Sequence, residues 1–145
     1  SGIGPRAELD ALGIDCEIEN NNVGENLQDH PMLRLQWRIA PRPVDSRQPM
    51  SPLRVRFSSS DAGRRDDLLI NVCGINPSPD DRARIDRVEL ITLLMDPEST
   101  GRVRLASADA ADRPTIDFSY FTRGTDRSRM LEGIDLALEI GRAAA

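Results

Sequence analysis

The nine residues "MLRLQWRIA" at positions 32–40 constrain the architecture more than any other stretch of this chain. Leu33, Leu35, Trp37 and Ile39 alternate with Arg34, Gln36 and Arg38. Successive side chains of a strand point to opposite faces, so this alternation predicts a strand with one buried and one polar side. "LRVRF" at 53–57 repeats the pattern, with Leu53, Val55 and Phe57 opposite Arg54 and Arg56. "DLLINVCGI" (67–75) is more continuously apolar and predicts a central strand.

Around these strands the punctuation is clear. Ser1-Gly2-Ile3-Gly4 reads as a bend, and residues 5–13 as a short helix with Pro5 in its first turn, Leu9 and Leu12 on one face and Gly13 as its stop. Ile14 to Glu19 predicts a strand and "NNNVGEN" (20–26) a loop. The four prolines of "PRPVDSRQPMSP" (41–52) predict a loop, as does "NPSPDDRARIDR" (76–87). Strands at 88–95 and 102–106, joined through Asp96–Gly101, are expected to form a hairpin, with a further loop at "ADAADRPT". The last segment places Met130, Ile134, Ala137, Leu138 and Gly141 on one helical stripe, with Thr125 or Asp126 as N-cap. Several strands with hairpin-length links and a helix at each end give an α+β expectation: a mainly antiparallel β-sheet with flanking helices. A chain that opens on a bend and ends inside a helix is expected to be a piece of a longer protein.

Composition narrows the function classes. Hydrophobic residues make up 39% and charged residues 30% of the 145, a globular balance for one domain. The net charge is −5, and aromatics are only 3%, which argues against nucleic acid as a partner. All 19 basic residues are arginine, so neither a Schiff-base nor a P-loop lysine is available in this chain. No apolar run approaches the roughly 18 residues of a membrane span, and no charged-then-apolar leader is visible; no membrane partner and a cytoplasmic location are the expectation. Cys16 and Cys73 lie far apart, His30 is the single histidine, and no metal site is expected.

Three stretches, in order, resemble the glucose–methanol–choline (GMC) family of FAD-dependent oxidoreductases, of choline dehydrogenase type. They are "SGIGP…L…LGI", "VGENLQDHP" at 23–31, and "DPESTGRVRLASADAADRPTIDFSYF…D…LEG" from Asp96 onward. The intervening residues 38–90 resemble the family only in strand pattern. The resemblance implies that residues 1–145 are the substrate-binding domain of such an enzyme, without its Rossmann-like FAD domain. Residues 1–31 would be the junction toward that domain, and 32–145 the antiparallel sheet with the C-terminal helix. It implies FAD as cofactor of the whole protein, a small-molecule alcohol as substrate, and the missing FAD domain of the same polypeptide as partner. No GxGxxG turn able to cradle the flavin diphosphate occurs in this chain. The family's catalytic histidine, with its His or Asn partner, would follow Ala145, so no catalytic residue is assigned here, and the isolated piece is expected to be inactive. Asn26, Asp29 and His30 are the candidates for a place near the flavin, with loop capping or a junction role as the alternative for each. A flavin-containing hydroxynitrile lyase and a stand-alone, non-catalytic binding module are the rival readings.

One pattern is independent of the resemblance. Arginines punctuate the polar faces of three expected strands: Arg34 with Arg38, Arg54 with Arg56, and Arg102 with Arg104. Were those strands neighbours with aligned faces, Arg34, Arg54 and Arg102 would form a cluster able to grip a carboxylate or phosphate of the substrate. A solvated sheet face is the alternative. The acidic pairs Asp66-Asp67 and Asp80-Asp81 read as solvated loop charge.

Overall fold

A computed structural model describes residues 1–45, 49, 51, 53–60, 63–76, 78, 80 and 83–143. The chain divides into two compact units, Ser1–Asp29 with Pro97–Arg123, and His30–Asp96 with Gly124–Ala145.

The second unit is built on a four-stranded antiparallel sheet. Its strands are β3 (Met32–Pro43), β4 (Leu53–Phe57), β5 (Leu68–Ile75) and β6 (Arg84–Leu94), in the order β3-β6-β5-β4. The alternating stretch 32–40 forms β3 as its pattern requires. Helix α2 (Gly124–Ala143) packs on one face of the sheet, and Ile70, Leu90 and Ala137 make the core there, joined by Leu35, Trp37, Phe57 and Val72. Two helical glycines permit this contact. A Cβ on Gly133 would sit 2.7 Å from Thr92 Cγ2, and one on Gly141 would enter the Trp37 ring. Near the end of α2 the sheet leaves a cavity of about 500 Å³ lined by Trp37, Ile39, Val72, Val88, Leu90 and Ile140.

In the first unit, β1 (Ile3–Gly4) pairs in parallel with β2 (Ile18–Glu19) across the short helix α1 (Arg6–Ala11). A second pair joins β7 (Arg102–Arg104) to β8 (Thr115–Asp117), antiparallel. Leu27 and Gly101 bridge the two motif loops with backbone bonds of 3.0 and 2.8 Å in opposite directions.

The α+β class and the predominantly antiparallel sheet are as expected, while five local expectations are corrected. The strand after Asp96–Gly101 does not fold back on its predecessor: β6 lies between β3 and β5, and β7 takes β8 as partner. The expected loop at 108–115 therefore ends in a strand. Pro41 and Pro43 belong to β3, since an outer strand has a side that needs no N–H, and the ladder shifts register between Arg38 and Arg42. The loop expected to run to Arg87 ends earlier, because β6 begins at Arg84. Thr125 and Asp126 are not N-caps but lie inside the first turn of α2. Residues 46–48, 50, 52, 61, 62, 77, 79, 81, 82, 144 and 145, which include Asp81, lie outside the described residues.

Asp67 overturns the solvated reading of its acidic pair. It is 1% exposed, takes bonds of 2.8 Å from both the Ser59 N–H and hydroxyl, and faces Arg129 Nη1 at 3.2 Å. Arg129, 1% exposed, also reaches Asp126 Oδ1 at 2.6 Å and the Asp96 carbonyl at 3.0 Å. This buried network ties the first turn of α2 to the start of β5 and the end of β6.

Candidate functional site

The "NLQDHP" loop is held residue by residue. Asn26 adopts φ 58°, a left-handed conformation that asparagine tolerates better than most side chains. Gln28 Nε2 donates to the Pro97 carbonyl at 2.8 Å, and the Tyr120 hydroxyl donates to Asp29 Oδ2 at 2.8 Å. The Val103 N–H closes on the Gly24 carbonyl at 2.7 Å. Two stretches some 70 positions apart are thereby stitched into one loop cluster, and nothing in the local sequence pattern signalled the pairing. Tyr120 stacks on Phe118 with ring centroids 5.0 Å apart. Burial first, and then the hydrogen bond and charge of Asp29, push the Tyr120 phenol above its ordinary value. Tyr120 is the one tyrosine of the chain, so an ultraviolet titration should ionise it above pH 10.0, and Asp29→Asn should lower that midpoint.

His30 opens the other unit. Its Nδ1 lies 3.1 Å from the Leu94 carbonyl oxygen, which can only accept, so Nδ1 carries the hydrogen. That bond, with the Leu94 N–H donating to the Pro31 carbonyl at 3.1 Å, fastens the entry of β3 to the end of β6.

The arginines sort by register. Arg34 stands opposite Ile91, Ile91 opposite Asn71, and Asn71 opposite Arg54, so these four form one transverse row on one face of the sheet. This face is the one turned away from α2, because the intervening positions Leu35, Leu90, Val72 and Ile70 pack toward the helix. Arg34 and Arg54 are on the outer strands, three spacings or about 14 Å apart at the backbone. Arg34 leans inward: its Nη1 is 3.5 Å from Glu89 Oε2, while Gln36 Nε2 holds Glu89 Oε1 at 2.7 Å. Arg102 does not join this row. It belongs to β7 in the other unit and lies 4.0 Å from Asp117 Oδ2. The expected three-strand cluster is therefore not formed on neighbouring strands, since β6 and β5 separate β3 from β4; a two-arginine row is what the register brings together. Asn71 and Ile91 complete it, with Glu89 in the adjacent row held by Arg34, and no motif marked them in advance.

The residues present do not fit a flavin diphosphate cradle. Such a cradle needs glycines where backbone approaches phosphate. Here the missing Cβ of Gly2, at φ 71°, makes room for the chain itself, with the Asp15 carbonyl oxygen 2.7 Å from where that Cβ would stand. Among the described residues no group of three His, Cys, Asp or Glu could hold a metal ion, and no helix is long and apolar enough to cross a membrane.

Residues 97–145 match the family model described as GMC oxidoreductase. Choline oxidase of Arthrobacter globiformis is 31% identical over 155 aligned residues, covering 100% of this chain and 28% of that protein. Pyridoxine 4-oxidase, described as from Mesorbium loti, superposes with a TM-score of 0.78 at 29% identity, over 97% of this chain and 29% of its own. A formate oxidase of Aspergillus oryzae, whose structure concerns FAD modification, has the same fold, with a TM-score of 0.75 at 21% identity over 94% of this chain and 33% of its own. The chain thus spans between a quarter and a third of the length of these relatives.

Proposed function

This chain belongs to the GMC oxidoreductase family, and on that premise we propose that it is the substrate-binding part of an FAD-dependent oxidoreductase acting on a CH–OH group. The observation that carries this reading is the joint match: the family model over residues 97–145, and alcohol-oxidising relatives over the whole chain. When bound, FAD would accept the hydride that leaves the substrate carbon. In this reading the sheet face turned away from α2 meets the substrate. The loop cluster Asn26–Asp29 with Pro97–Tyr120 lies toward the flavin-binding part of the longer protein. His30, engaged with the Leu94 carbonyl, is a positioning residue rather than the base.

The test is the visible spectrum of the protein expressed from its full natural reading frame, followed anaerobically on adding alcohols. The expected result is a flavin spectrum bleached by at least one alcohol. A flavin spectrum that no alcohol bleaches, in a protein that cleaves a cyanohydrin, would move the reading to a lyase. A colourless protein would leave a binding module. Residues 1–145 expressed alone should neither retain FAD through gel filtration nor oxidise an alcohol, because the diphosphate cradle is missing.

A further inference from the structure

We propose that the row Arg34–Ile91–Asn71–Arg54 is a subsite for the carboxylate of an anionic substrate, with Arg54 its specificity-determining cation. The inference rests on the substrate-binding reading above and names the substrate class: an alcohol carrying a carboxylate and an apolar body, rather than a cation such as choline.

Several arginines lie on or beside this face; Arg56 and Arg87 are committed elsewhere, and the exposed Arg38 stands opposite Arg87, two rows away from Asn71. Arg56 Nε donates to the Asp66 carbonyl at 2.9 Å, and Arg87 is held by Asp86 at 3.1 Å and by the Asn76 carbonyl at 3.1 Å. Arg34 gives one nitrogen to Glu89 at 3.5 Å, and its side chain remains 59% exposed. Arg54 is exposed and forms no ion pair among the described residues. Between these two stands Asn71, whose Oδ1 is buried with no hydrogen-bond partner among the described residues. A buried amide oxygen without a donor is costly, and Arg54 is its register neighbour on β4. A guanidinium has five N–H groups, so Arg54 can donate one to Asn71 and still present a planar fork to a carboxylate. The ligand then draws Arg54 inward toward Arg34. In the next row, Leu93 and Leu69 stand opposite each other and are half-buried, which gives an apolar body a surface beside Ile91. A quaternary ammonium would meet two guanidinium groups and one already bridged carboxylate, a repulsive arrangement.

Isothermal titration of the full-length protein with benzoate and with its neutral isostere benzamide tests this without turnover. Wild type should bind benzoate the more tightly, and Arg54→Gln should weaken benzoate about tenfold or more while leaving benzamide within about twofold. Arg54→Lys, which keeps the charge but not the fork, should retain part of the preference. Arg56→Gln, whose guanidinium is turned to the Asp66 backbone, should leave benzoate unchanged. Absent benzoate binding in wild type, or equal weakening of both ligands in Arg54→Gln, overturns the subsite. Far-ultraviolet circular dichroism of each variant separates loss of binding from loss of fold. Flavin bleaching by 4-(hydroxymethyl)benzoate and by its methyl ester keeps the two conclusions apart. Bleaching that ignores both the charge and Arg54 removes the subsite and leaves the oxidoreductase reading. Benzoate selectivity without any bleaching does the reverse.

Discussion

Arg129→Met should cost the unit formed by His30–Asp96 and α2 about 3–5 kcal/mol, a large fraction of the roughly 5–15 kcal/mol that holds an ordinary domain. Methionine retains much of the volume but none of the N–H groups. Asp67 and Asp126, 1% and 0% exposed, would then share a desolvated space with no cation between them. Breaking a buried ion pair from one side is far worse than replacing the whole set, because the stranded charge keeps its desolvation penalty. The expected order of urea midpoints is therefore wild type above the triple variant Asp67→Asn, Asp126→Asn, Arg129→Met, and that variant above Arg129→Met alone. Trp37, the one tryptophan, packs against the α2 face of the sheet and reports the transition by fluorescence. An Arg129→Met protein as stable as wild type would mean the network contributes little.

The same network sets an acid limit. Burial raises the Asp67 carboxyl, but the Ser59 N–H, the Ser59 hydroxyl and the Arg129 guanidinium together hold it below the ordinary aspartate range. A carboxyl depressed in the folded state contributes stability that is fully present above its unfolded pKa of about 3.9 and is lost as pH falls through the folded value. The wild-type urea midpoint should thus fall on acidification below about pH 4, and Asp67→Asn should flatten that dependence. A midpoint in the variant that is just as acid-sensitive would assign the effect to other carboxylates.

What could be read from the residues depended on the range of the interaction. β3 and β4 carry their own signal, because alternation is a property of neighbouring positions, and α2 announces its stripe in the same way. Pairing carries no such signal. Nothing local tells β6 to insert between β3 and β5 rather than fold against β7, since that outcome is decided by the apolar match of Leu90 with Leu35 and Val72 across two strands. Asp66-Asp67 shows the same limit at a single position. The pair reads as surface charge until Arg129, 62 residues later, is brought onto it. The arginine pattern was legible as three strands with polar faces, but which arginines share a row follows only from strand order. That order retains Arg34 and Arg54 and removes Arg102. The motif stretches were legible as family resemblance, yet the chemistry that holds them is between segments: Leu27 to Gly101, Gln28 to Pro97, Asp29 to Tyr120.

Gly101→Ala should damage that loop cluster by about 3 kcal/mol. Most glycine-to-alanine changes in a strand gain slightly from the reduced freedom of the unfolded chain. Here the added Cβ would overlap the Asp117 carbonyl oxygen and stand 2.7 Å from the Phe118 carbonyl carbon. Both are backbone atoms of the partner segment, which cannot rotate aside as a side chain can. Gly101 is also held from the other direction, because its N–H and carbonyl both bond Leu27. The chain at this position is clamped between two backbones, so relief requires separating β7 from β8 or releasing the "NLQDHP" loop. Gly13→Ala is the matched control: at φ 70° with open space around it, it carries conformational strain but no collision, and should cost only about 1–2 kcal/mol. Amide hydrogen exchange distinguishes the two. In Gly101→Ala the Leu27, Gly101 and Val103 N–H groups should lose protection together, while amides of β5 and β6 keep theirs, since those strands belong to the other unit. Retained protection at Leu27 would show that the two motif loops are held independently of this glycine. Their common presence in the chain would then need another physical reason than the backbone clamp.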